Sequence, residues 1–478
     1  MTTLNLDDKR RRSLNLSDQE LATAGSLTCG LLRHFERSLG ERPVMPTLDR
    51  GQLRELFDTP FPELGVGVER LFHDIKEKIL PNCTTVAHPR FLAYVLGPPN
   101  GISPFAEAIA AALNQNCNFW QLSPAASVIE QKVVSWLASL FAYPATAGGI
   151  ITSGGSMANL MALSTAMHDK APVDLRTAGL SAVPAPLVVY TSTEAHRSIE
   201  KAAAILGLGL NNVRKVPVDS DFRLRIDLLE RAIENDRKSS LIPFCVVAAA
   251  GTVNTGAIDP LDEIAELCQR ENLWLHVDGA YGALFILSNR IKDQLFSCGR
   301  ADSISLDPHK LLFAPLEAGC LIVRHQQKLR KAFHFASSYL TAEDDPALVN
   351  FLEYGPQLSR GFKAFKIWCS LQTFGIQAFR TAAEHMLDIS EYMAQRITAE
   401  PSLELLAPVR LSAVCFGFKG STSNTAILAK LVDEGTALLG PVHIAGRIGI
   451  RACITNYRTT RSDIDLILDR LLQLGECS

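Results

Sequence analysis

The first apolar residues of the chain recur at helical intervals. Ser17 and Glu20 have the spacing of a capping box, which marks the start of a helix. The apolar positions that follow are three or four residues apart, at Leu21, Ala24, Leu27, Leu31, Phe35 and Leu39. This pattern predicts an amphipathic helix that ends before Pro43 and Pro46. Its apolar face can pack on its own domain or clasp a second subunit as an arm, and the sequence favours neither alternative.

From about Gly149 the pattern changes to short apolar runs that alternate with helical stretches. The runs that predict strands are 149–152, 187–190, 245–249, 273–277, 303–306 and 319–323. Asp259 and Pro260 precede an amphipathic stretch and predict a helix with Asp259 as its N-cap. The alternation predicts an α/β fold with a mostly parallel sheet and helices on both faces. The residues after about Phe379 predict a smaller domain of mixed helices and strands.

The composition of the chain indicates which classes of partner to expect. Of the 478 residues 47% are apolar, and a net charge of -3 gives no electrostatic reason to expect nucleic acid or anionic lipid as a partner. The 11 cysteines are scattered without a CxxC pair, which predicts no metal site and indicates a reducing compartment. The N-terminus lacks an apolar signal core, and no run of about 18 uncharged apolar residues occurs. We therefore expect a cytoplasmic protein that binds a small molecule and no membrane.

Polar clusters follow several predicted strands, and a parallel sheet gathers such clusters along one edge. The first is the sequence TSGGS at 152–156, between a strand and a helix. Its glycines, Gly155 among them, allow a ligand close to the backbone, and the helix N-terminus and the hydroxyl of Ser156 suit a phosphate. A tight turn with a capping serine is the alternative.

A second cluster contains Asp278, which ends an apolar strand and is followed by small residues that include Ala280. A buried carboxylate is costly without a cationic partner. A protonated pyridine nitrogen is such a partner, and Ala280 leaves room for a flat ring. The alternative is an aspartate that caps the next turn.

A third cluster, DPHK at 307–310, follows the next predicted strand and ends in Lys310. A lysine at the active edge of a sheet can form the imine that pyridoxal 5'-phosphate (PLP) chemistry requires. A surface lysine is the alternative, but Asp278 and the glycine turn together favour the PLP interpretation.

A fourth cluster contains His196, whose flat imidazole is suited to stack on a cofactor ring and to contact a substrate carboxylate. A capping or core histidine is the alternative. Thr252, after Ala250 and Gly251, is a weaker candidate for contact with substituents of the ring.

These residues together resemble the pyridoxal-dependent decarboxylase family, which includes aromatic amino acid, glutamate and diaminobutyrate decarboxylases. The motifs that carry the resemblance are HPRF at 88–91, SPA at 123–125, TSGGSMAN at 152–159, EAH at 194–196, HVDGAYG at 276–282, DPHK at 307–310 and SRGF at 359–362. The resemblance implies the aspartate aminotransferase type of fold and a homodimer with active sites at the subunit interface. The chain then divides into an N-terminal helical segment (1–88), a large PLP-binding domain (89–378) and a small C-terminal domain (379–478).

The resemblance also implies roles for individual residues. Lys310 resembles the Schiff-base lysine of the family, Asp278 its pyridinium partner and His196 its stacking histidine. The residues that resemble its phosphate neighbours are Gly155, Ser156 and His309. Tyr339 resembles, by its spacing from Lys310, the mobile-loop tyrosine of the family, which implies a phenol that donates a proton to the substrate alpha carbon. In the family, phenylalanine at this position marks enzymes that yield aldehydes. A core tyrosine is the alternative.

The chain departs from the aromatic branch of the family at several positions. Asp307 stands where that branch commonly has asparagine, and Asn116 and Asn118 stand where it has apolar pocket residues. Phe91 and Trp120 are candidates for the wall of an aromatic pocket, or for core positions, whereas the two asparagines suit a more polar substrate.

The sequence thus predicts PLP-dependent decarboxylation of an L-amino acid, with an aromatic substrate first, to an amine and carbon dioxide. The alternatives are a decarboxylase of the diaminobutyrate, glutamate or aspartate type, a decarboxylating oxidase or aldehyde synthase, a transaminase, and a non-catalytic dimeric binding protein.

Overall fold

Apolar strands form a central sheet of seven strands. The computed structural model describes residues 14–335, 348–420 and 423–476. The strands of this sheet are β1 (Gly148–Thr152), β2 (Leu187–Ser192), β3 (Val213–Val216), β4 (Ile242–Ala249), β5 (Trp274–Asp278), β6 (Ser303–Leu306) and β7 (Gly319–Val323). All six predicted strand runs are confirmed. The prediction missed β3, because its two valines flank Arg214 and Lys215 and form no apolar run.

The strand order is β1-β7-β6-β5-β4-β2-β3. Strand β7 is antiparallel to both of its neighbours, and the other strands run in one direction. The carboxyl ends of β1, β4, β5 and β6 therefore lie along the same edge. At this edge Asp278 of β5 is paired with Ala249 of β4 and Ser305 of β6. The polar clusters that follow these strands consequently meet there.

Helices surround the sheet and join its strands. The α-helices are α1 (Asp18–Ser38), α2 (Arg50–Phe57), α3 (Val68–Asp74), α4 (Ser103–Leu113), α5 (Pro124–Ser139), α6 (Gly155–Lys170), α7 (Leu175–Ala178), α8 (Ser198–Ile205), α9 (Ile226–Lys238), α10 (Leu261–Arg270), α11 (Lys292–Phe296), α12 (Pro308–Leu311), α13 (Gln326–Phe333), α14 (Lys363–Ala399), α15 (Asn424–Asp433) and α16 (Arg461–Glu476). None of the helices in the described part of the chain has the length and apolar character needed to cross a membrane.

The two faces of the sheet bury different sets of side chains. Ile150 of β1 joins the core formed with α6, α8 and α13, while the next residue, Ile151, joins the core formed with α5, α10 and α14. The same alternation occurs in β2, where Val188 and Val189 enter opposite cores. The predicted coverage of both faces is therefore confirmed.

The predicted N-terminal helix is present as α1. The N–H of Glu20 donates to Ser17 Oγ at 3.3 Å and the N–H of Ser17 donates to Glu20 Oε2 at 2.9 Å, which confirms the capping box. None of its residues is buried, and Leu21 is 62% exposed. The helix contacts α3, and its own chain covers the apolar face only in part, since Leu27, Leu31 and Phe35 are half-buried.

The prediction that Asp259 caps a helix is wrong. Helix α10 begins after Pro260 and has no side-chain cap. Asp259 is buried, and its carboxyl oxygens accept the N–H groups of Leu224 at 2.8 Å and Ala249 at 2.7 Å. The side chain joins β4 to the segment before α9, because its two oxygens meet unpaired backbone donors there.

The C-terminal part forms a second, antiparallel sheet, as predicted for a smaller mixed domain. Its strands are β8 (Leu403–Leu405), β9 (Ala413–Phe418), β10 (Gly440–Ile444) and β11 (Arg447–Cys453), in the order β10-β11-β9-β8. Helices α15 and α16 contact each other, and α15 also contacts β10 and β11. Helix α14 runs across residue 379, so the boundary there stays a prediction, as does the one at residue 89.

Candidate active site

A cavity of about 320 Å³ opens at the carboxyl edge of the large sheet. This volume lies in the range typical of small-molecule sites. Each residue that the sequence predicts to contact the cofactor lines this cavity: Gly155, Ser156, His196, Thr252, Asp278, Ala280, His309 and Lys310. The parallel strands bring together residues that are far apart in the chain, so the predicted clusters form one site.

Lys310 lies on α12, one turn beyond the end of β6. Its Nζ atom is 2.8 Å from Oδ2 of Asp307, a carboxylate whose side chain is only 3% exposed. Among the described residues, Oδ1 of Asp307 has no hydrogen-bond partner. A buried carboxylate is stabilised by an adjacent cation, so Asp307 and Lys310 form a charge pair in the floor of the cavity.

His309 stands between this pair and the glycine turn. Its Nδ1 lies 2.7 Å from the carbonyl oxygen of Ala318, and its Nε2 lies 3.6 Å from Asp307 Oδ2. Burial lowers the pKa of His309, an effect that outweighs the opposing influence of Asp307. The imidazole is therefore neutral at physiological pH.

Asp278 presents its carboxylate to the cavity in a fixed orientation. Its Oδ2 accepts a hydrogen bond from Asn159 Nδ2 at 2.9 Å. Its Oδ1 accepts from Ser305 Oγ and from the N–H of Ala280, both at 3.2 Å. Three donors from α6, β6 and the turn after β5 thus hold the carboxylate at the end of β5.

The glycine turn between β1 and α6 packs closely against the cavity wall because it lacks side chains. A Cβ atom on Gly155 would lie 2.7 Å from Cβ of Ala280 and 3.1 Å from Asp307 Oδ2, so a larger residue there would clash with the wall. The first N–H groups of α6 have no acceptor within the helix, and Ser156 adds a hydroxyl. This combination suits a phosphate group.

His196 and Thr252 border the cavity from the two strands β2 and β4. Ser198 donates from its backbone N–H to His196 Nδ1 at 3.2 Å, and its Oγ lies 2.8 Å from the same nitrogen. Thr252 is 2% exposed, and its Oγ1 lies 3.0 Å from Oγ1 of Thr255. The hydroxyl of Thr252 therefore already has a partner within its own loop.

The four predicted substrate contacts do not line this cavity of the single chain. Phe91 is 3% exposed and forms a β-bridge with Leu438, so it is a core residue here. Trp120 donates its backbone N–H to Asn350 at 3.1 Å. Their assignment as substrate contacts stays a prediction, because the resemblance implies active sites at a subunit interface.

The segment at Asn116 and Asn118 contacts the residues before α14. Oδ1 of Asn116 accepts the N–H of Arg360 at 3.1 Å, and the backbone carbonyl of Asn118 accepts the N–H of Leu352 at 3.2 Å. Arg360 is itself buried against Glu130, with 2.5 Å between Nη2 and Oε1. The side chain of Asn116 thus helps to dock the segment before α14, a role that its sequence position did not reveal.

Several residues of the cavity were missed or left without a role. Asn159 ends the TSGGSMAN motif, and its position four residues after Gly155 places both on one side of α6. Asp307 was noted only as a departure from the family pattern. Arg451, on β11, is buried and donates to the carbonyl of Val253, a residue of the cavity wall. No local signal identifies Arg451, because its approach depends on the packing of the small sheet. Tyr339 lies outside the described residues.

Comparison with known proteins identifies the family. The model of the pyridoxal-dependent decarboxylase conserved domain matches residues 50–419. The chain belongs to the pyridoxal-dependent decarboxylase family. It is 34% identical over 475 residues to an aromatic-L-amino-acid decarboxylase of Bacillus atrophaeus, covering 97% of both chains. It is 34% identical over 430 residues to an L-2,4-diaminobutyrate decarboxylase of Rhizobium meliloti (strain 1021), covering 88% of this chain and 85% of the relative.

A solved structure from this family has the same fold. The glutamate decarboxylase domain of a Vibrio parahaemolyticus protein, described as diaminobutyrate-pyruvate transaminase and L-2,4-diaminobutyrate decarboxylase, superposes with a TM-score of 0.86. The identity is 28%, and 98% of each chain is covered. The predicted fold of the PLP-dependent transferases is therefore confirmed.

Membership of the family gives the cofactor and the reaction class: PLP and amino acid decarboxylation. The cavity fits this cofactor on independent grounds. It combines a primary amine at Lys310, a carboxylate at Asp278 and a glycine turn at a helix N-terminus. These groups match the aldehyde, the pyridine nitrogen and the phosphate of PLP.

Proposed function

We propose that this chain decarboxylates an aromatic L-amino acid to the corresponding amine, with PLP held on Lys310. The observation that carries the proposal is the shared position of Lys310 and Asp278 on one cavity. An aromatic substrate is supported by the 34% identity with the Bacillus atrophaeus aromatic-L-amino-acid decarboxylase along nearly the whole of both chains. L-2,4-diaminobutyrate is the second candidate, because the Rhizobium meliloti relative is equally identical over 430 residues.

Each residue of the site has a defined task in this proposal. When bound, PLP supplies an electron sink for the pair released as carbon dioxide departs. Asp278 holds the proton on the pyridine nitrogen, because an ionised carboxylate favours a neighbouring cation. Lys310 anchors the cofactor through its amine, and the turn at Gly155 and Ser156 binds the phosphate. His196 stacks on the ring and donates a hydrogen bond to the substrate carboxylate.

We further propose that the chain acts as a homodimer. Helix α1 has no buried residue, and its partly exposed apolar side is available to a second copy. The apolar side chains of α4 that are more than two-fifths exposed support the same interpretation: Phe105, Ile109 and Leu113. In a dimer, the partner can contribute the substrate contacts that the cavity of one chain lacks. A cytoplasmic location remains a prediction from the scattered cysteines.

A substrate panel tests the proposed activity. Purified chain loaded with PLP is incubated with each aromatic amino acid, histidine, glutamate, aspartate and diaminobutyrate, and carbon dioxide and amine are measured together. We expect release from at least one aromatic amino acid and none from the Lys310→Ala variant. Release from diaminobutyrate alone would select the second candidate. Oxygen uptake or transfer of the amino group to a keto acid, without amine, would contradict the proposal.

The proton donor is tested separately at Tyr339. We expect Tyr339→Phe to lower the yield of amine and, with dioxygen as the two-electron oxidant, to raise that of aldehyde and ammonia, because the phenol no longer returns a proton to the alpha carbon. Product ratios are measured by chromatography for the wild type and the variant at equal substrate consumption. An unchanged amine yield would remove Tyr339 from the mechanism.

A further inference from the structure

A chain of buried hydrogen bonds runs behind the cavity and ends on two of its walls. The side chains in it are those of Trp274, Ser303, His276, Asn159, Ser198 and His196. Successive donor and acceptor atoms are 2.8–2.9 Å apart. At Asn159 the chain branches, because Nδ2 of this residue also donates to Asp278 Oδ2 at 2.9 Å. Asn159 is 1% exposed, so water does not substitute for its partners.

The direction of the hydrogen bonds follows from the carboxylate of Asp278. Nδ2 of Asn159 donates to Asp278 Oδ2, so Oδ1 of Asn159 faces His276. Nε2 of His276 therefore donates to this oxygen, and with one proton on the ring its Nδ1 accepts from the hydroxyl of Ser303. Ser303 Oγ in turn accepts from Trp274 Nε1, since an indole N–H can only donate.

The other end of the chain requires the same direction. The backbone N–H of Ser198 donates to His196 Nδ1, which makes this nitrogen an acceptor. Ser198 Oγ therefore donates to the same nitrogen and accepts from Asn159 Nδ2. The bond from Asn159 to the Asp278 carboxylate and the bond from the Ser198 N–H to His196 therefore require the same arrangement of protons along the chain of hydrogen bonds. Burial lowers the pKa of His276 to about 4, which agrees with one proton on this ring at neutral pH.

We propose that Asn159 is a positioning residue that orients Asp278 and, through Ser198, His196 in one protonation pattern. This inference rests on the proposed function, because Asp278 and His196 are there the contacts of the PLP ring. Asn159 gives one hydrogen to the carboxylate of Asp278 and the other to Ser198. With Nδ1 of His196 occupied as an acceptor, the remaining proton of this ring is on Nε2.

The arrangement has a chemical consequence for the cavity. Since Nδ1 of His196 accepts, the proton on Nε2 offers a hydrogen-bond donor, and the described residues provide no acceptor for it. An amino acid carboxylate is such an acceptor. The amide of Asn159 therefore orients Asp278, the partner of the pyridine nitrogen, and through Ser198 it leaves Nε2 of His196 free to donate to the substrate.

Two substitutions of Asn159 distinguish a positioning role through its hydrogen bonds from a role in packing alone. Asn159→Asp keeps the volume but places a carboxylate against Asp278, whereas Asn159→Ala removes both the volume and the amide that makes the hydrogen bonds. The dissociation constant of PLP is measured by absorbance titration of the apo chain. We expect it to rise about tenfold in Asn159→Ala and further in Asn159→Asp at pH 8, because like charges repel.

The pH dependence of Asn159→Asp provides a second readout. As the pH falls toward 6, one carboxyl of the new pair takes up a proton and can donate again, so PLP affinity recovers relative to the wild type. The titratable groups nearest to position 159 are Asp278 and His276 on β5 and, beyond Ser198, His196. Asn424→Ala is the matched control, since Asn424 is a buried asparagine of the small domain whose side chain bonds to two backbone groups.

A Ser198→Ala variant tests the His196 branch even if the Asn159 variants fail to fold. It should raise the KM for substrate severalfold and leave the dissociation constant of PLP unchanged. Binding of PLP to Asn159→Asp as tight as to the wild type at pH 8, or an unchanged KM in Ser198→Ala, would overturn the inference. Failure of the wild-type chain to bind PLP would instead contradict the proposed function, so the two failures are distinguishable.

Discussion

Asp307 determines the charge environment of Lys310. The carboxylate is buried and lies 2.8 Å from Nζ, in a position where the aromatic branch of the resembled family commonly has asparagine. A negative charge at this distance stabilises a positive charge on the nitrogen. In the proposed function, the carboxylate therefore stabilises a positive charge on the nitrogen that carries the cofactor.

This effect predicts the behaviour of Asp307→Asn. We expect the pH midpoint of the absorption band of lysine-bound PLP to fall by about one unit, because a neutral amide no longer stabilises the protonated nitrogen. The measurement is a spectroscopic pH titration of the loaded chain. Asp169→Asn is a matched control, since Asp169 pairs with Lys328 at 2.9 Å outside the cavity. An unshifted midpoint in Asp307→Asn would show that the pair has no influence on this nitrogen.

At the scale of single residues, the sequence was sufficient to place groups that directly follow strands on one cavity. Lys310, Asp278 and His196 share it because parallel strands bring their carboxyl ends to one edge. Asn159 and Ser198 escaped assignment because their partners are distant in the chain and depend on the packing of α6 against α8 and β5. The substrate contacts predicted at positions 116 and 118 stay a prediction, because an asparagine that docks a backbone segment looks the same in sequence as one that binds a ligand.

Among the secondary-structure elements, the segment before α10 shows how tertiary packing overrides a local signal. The sequence of Asp259 and Pro260 is typical of a helix start, yet the carboxylate binds the N–H groups of Leu224 and Ala249. Burial raises the pKa of Asp259 to about 6 from 3.8, and the two hydrogen bonds only partly oppose this rise. The ionised form of Asp259 is therefore destabilised by loss of solvation, whereas an aspartate at a solvent-exposed N-cap would remain solvated.

The raised pKa of Asp259 predicts a pH-dependent stability. The folded chain binds this proton more tightly than the unfolded chain, so the contribution of Asp259 is greatest below about pH 4 and declines as the pH rises through about 6. We expect the free energy of unfolding of the wild type, relative to Asp259→Asn, to decrease by about 2 kcal/mol from about pH 4 to about pH 7. Urea unfolding of the apo chains measures it. A difference independent of pH would contradict the buried titration.

For the whole molecule, helix α1 is the longest of three N-terminal helices, α1 to α3, that have no buried residue in the single chain. The sequence predicted its start and its apolar stripe but left open whether the stripe packs on its own domain. None of the residues Asp18–Ser38 is buried, which favours the interpretation that α1 is an arm packed on a second subunit. The apolar pattern of α1 shows that one face needs cover, but it does not show whether that cover comes from the same chain or from a second copy. The sequence therefore left both alternatives open.

The arm makes a prediction about assembly. We expect the double substitution Leu27→Asp and Leu31→Asp to convert the proposed dimer to a monomer, because it places two charges in the apolar stripe. Sedimentation velocity measures the assembly state, and circular dichroism checks that the fold persists. A control pair on the polar side, Arg33→Asp and Arg37→Asp, should remain dimeric. Dimers in the first variant would place the interface elsewhere.

In the proposed function, the amine of Lys310 holds PLP and the carboxylate of Asp278 pairs with its pyridine nitrogen. Borohydride reduction of the PLP-loaded chain, followed by peptide mass spectrometry, identifies the lysine that holds the cofactor, since reduction makes the bond between lysine and cofactor permanent. We expect a single phosphopyridoxyl modification on Lys310, and none at this cavity in Lys310→Ala. A modification at another lysine, with Lys310 unmodified, would contradict it.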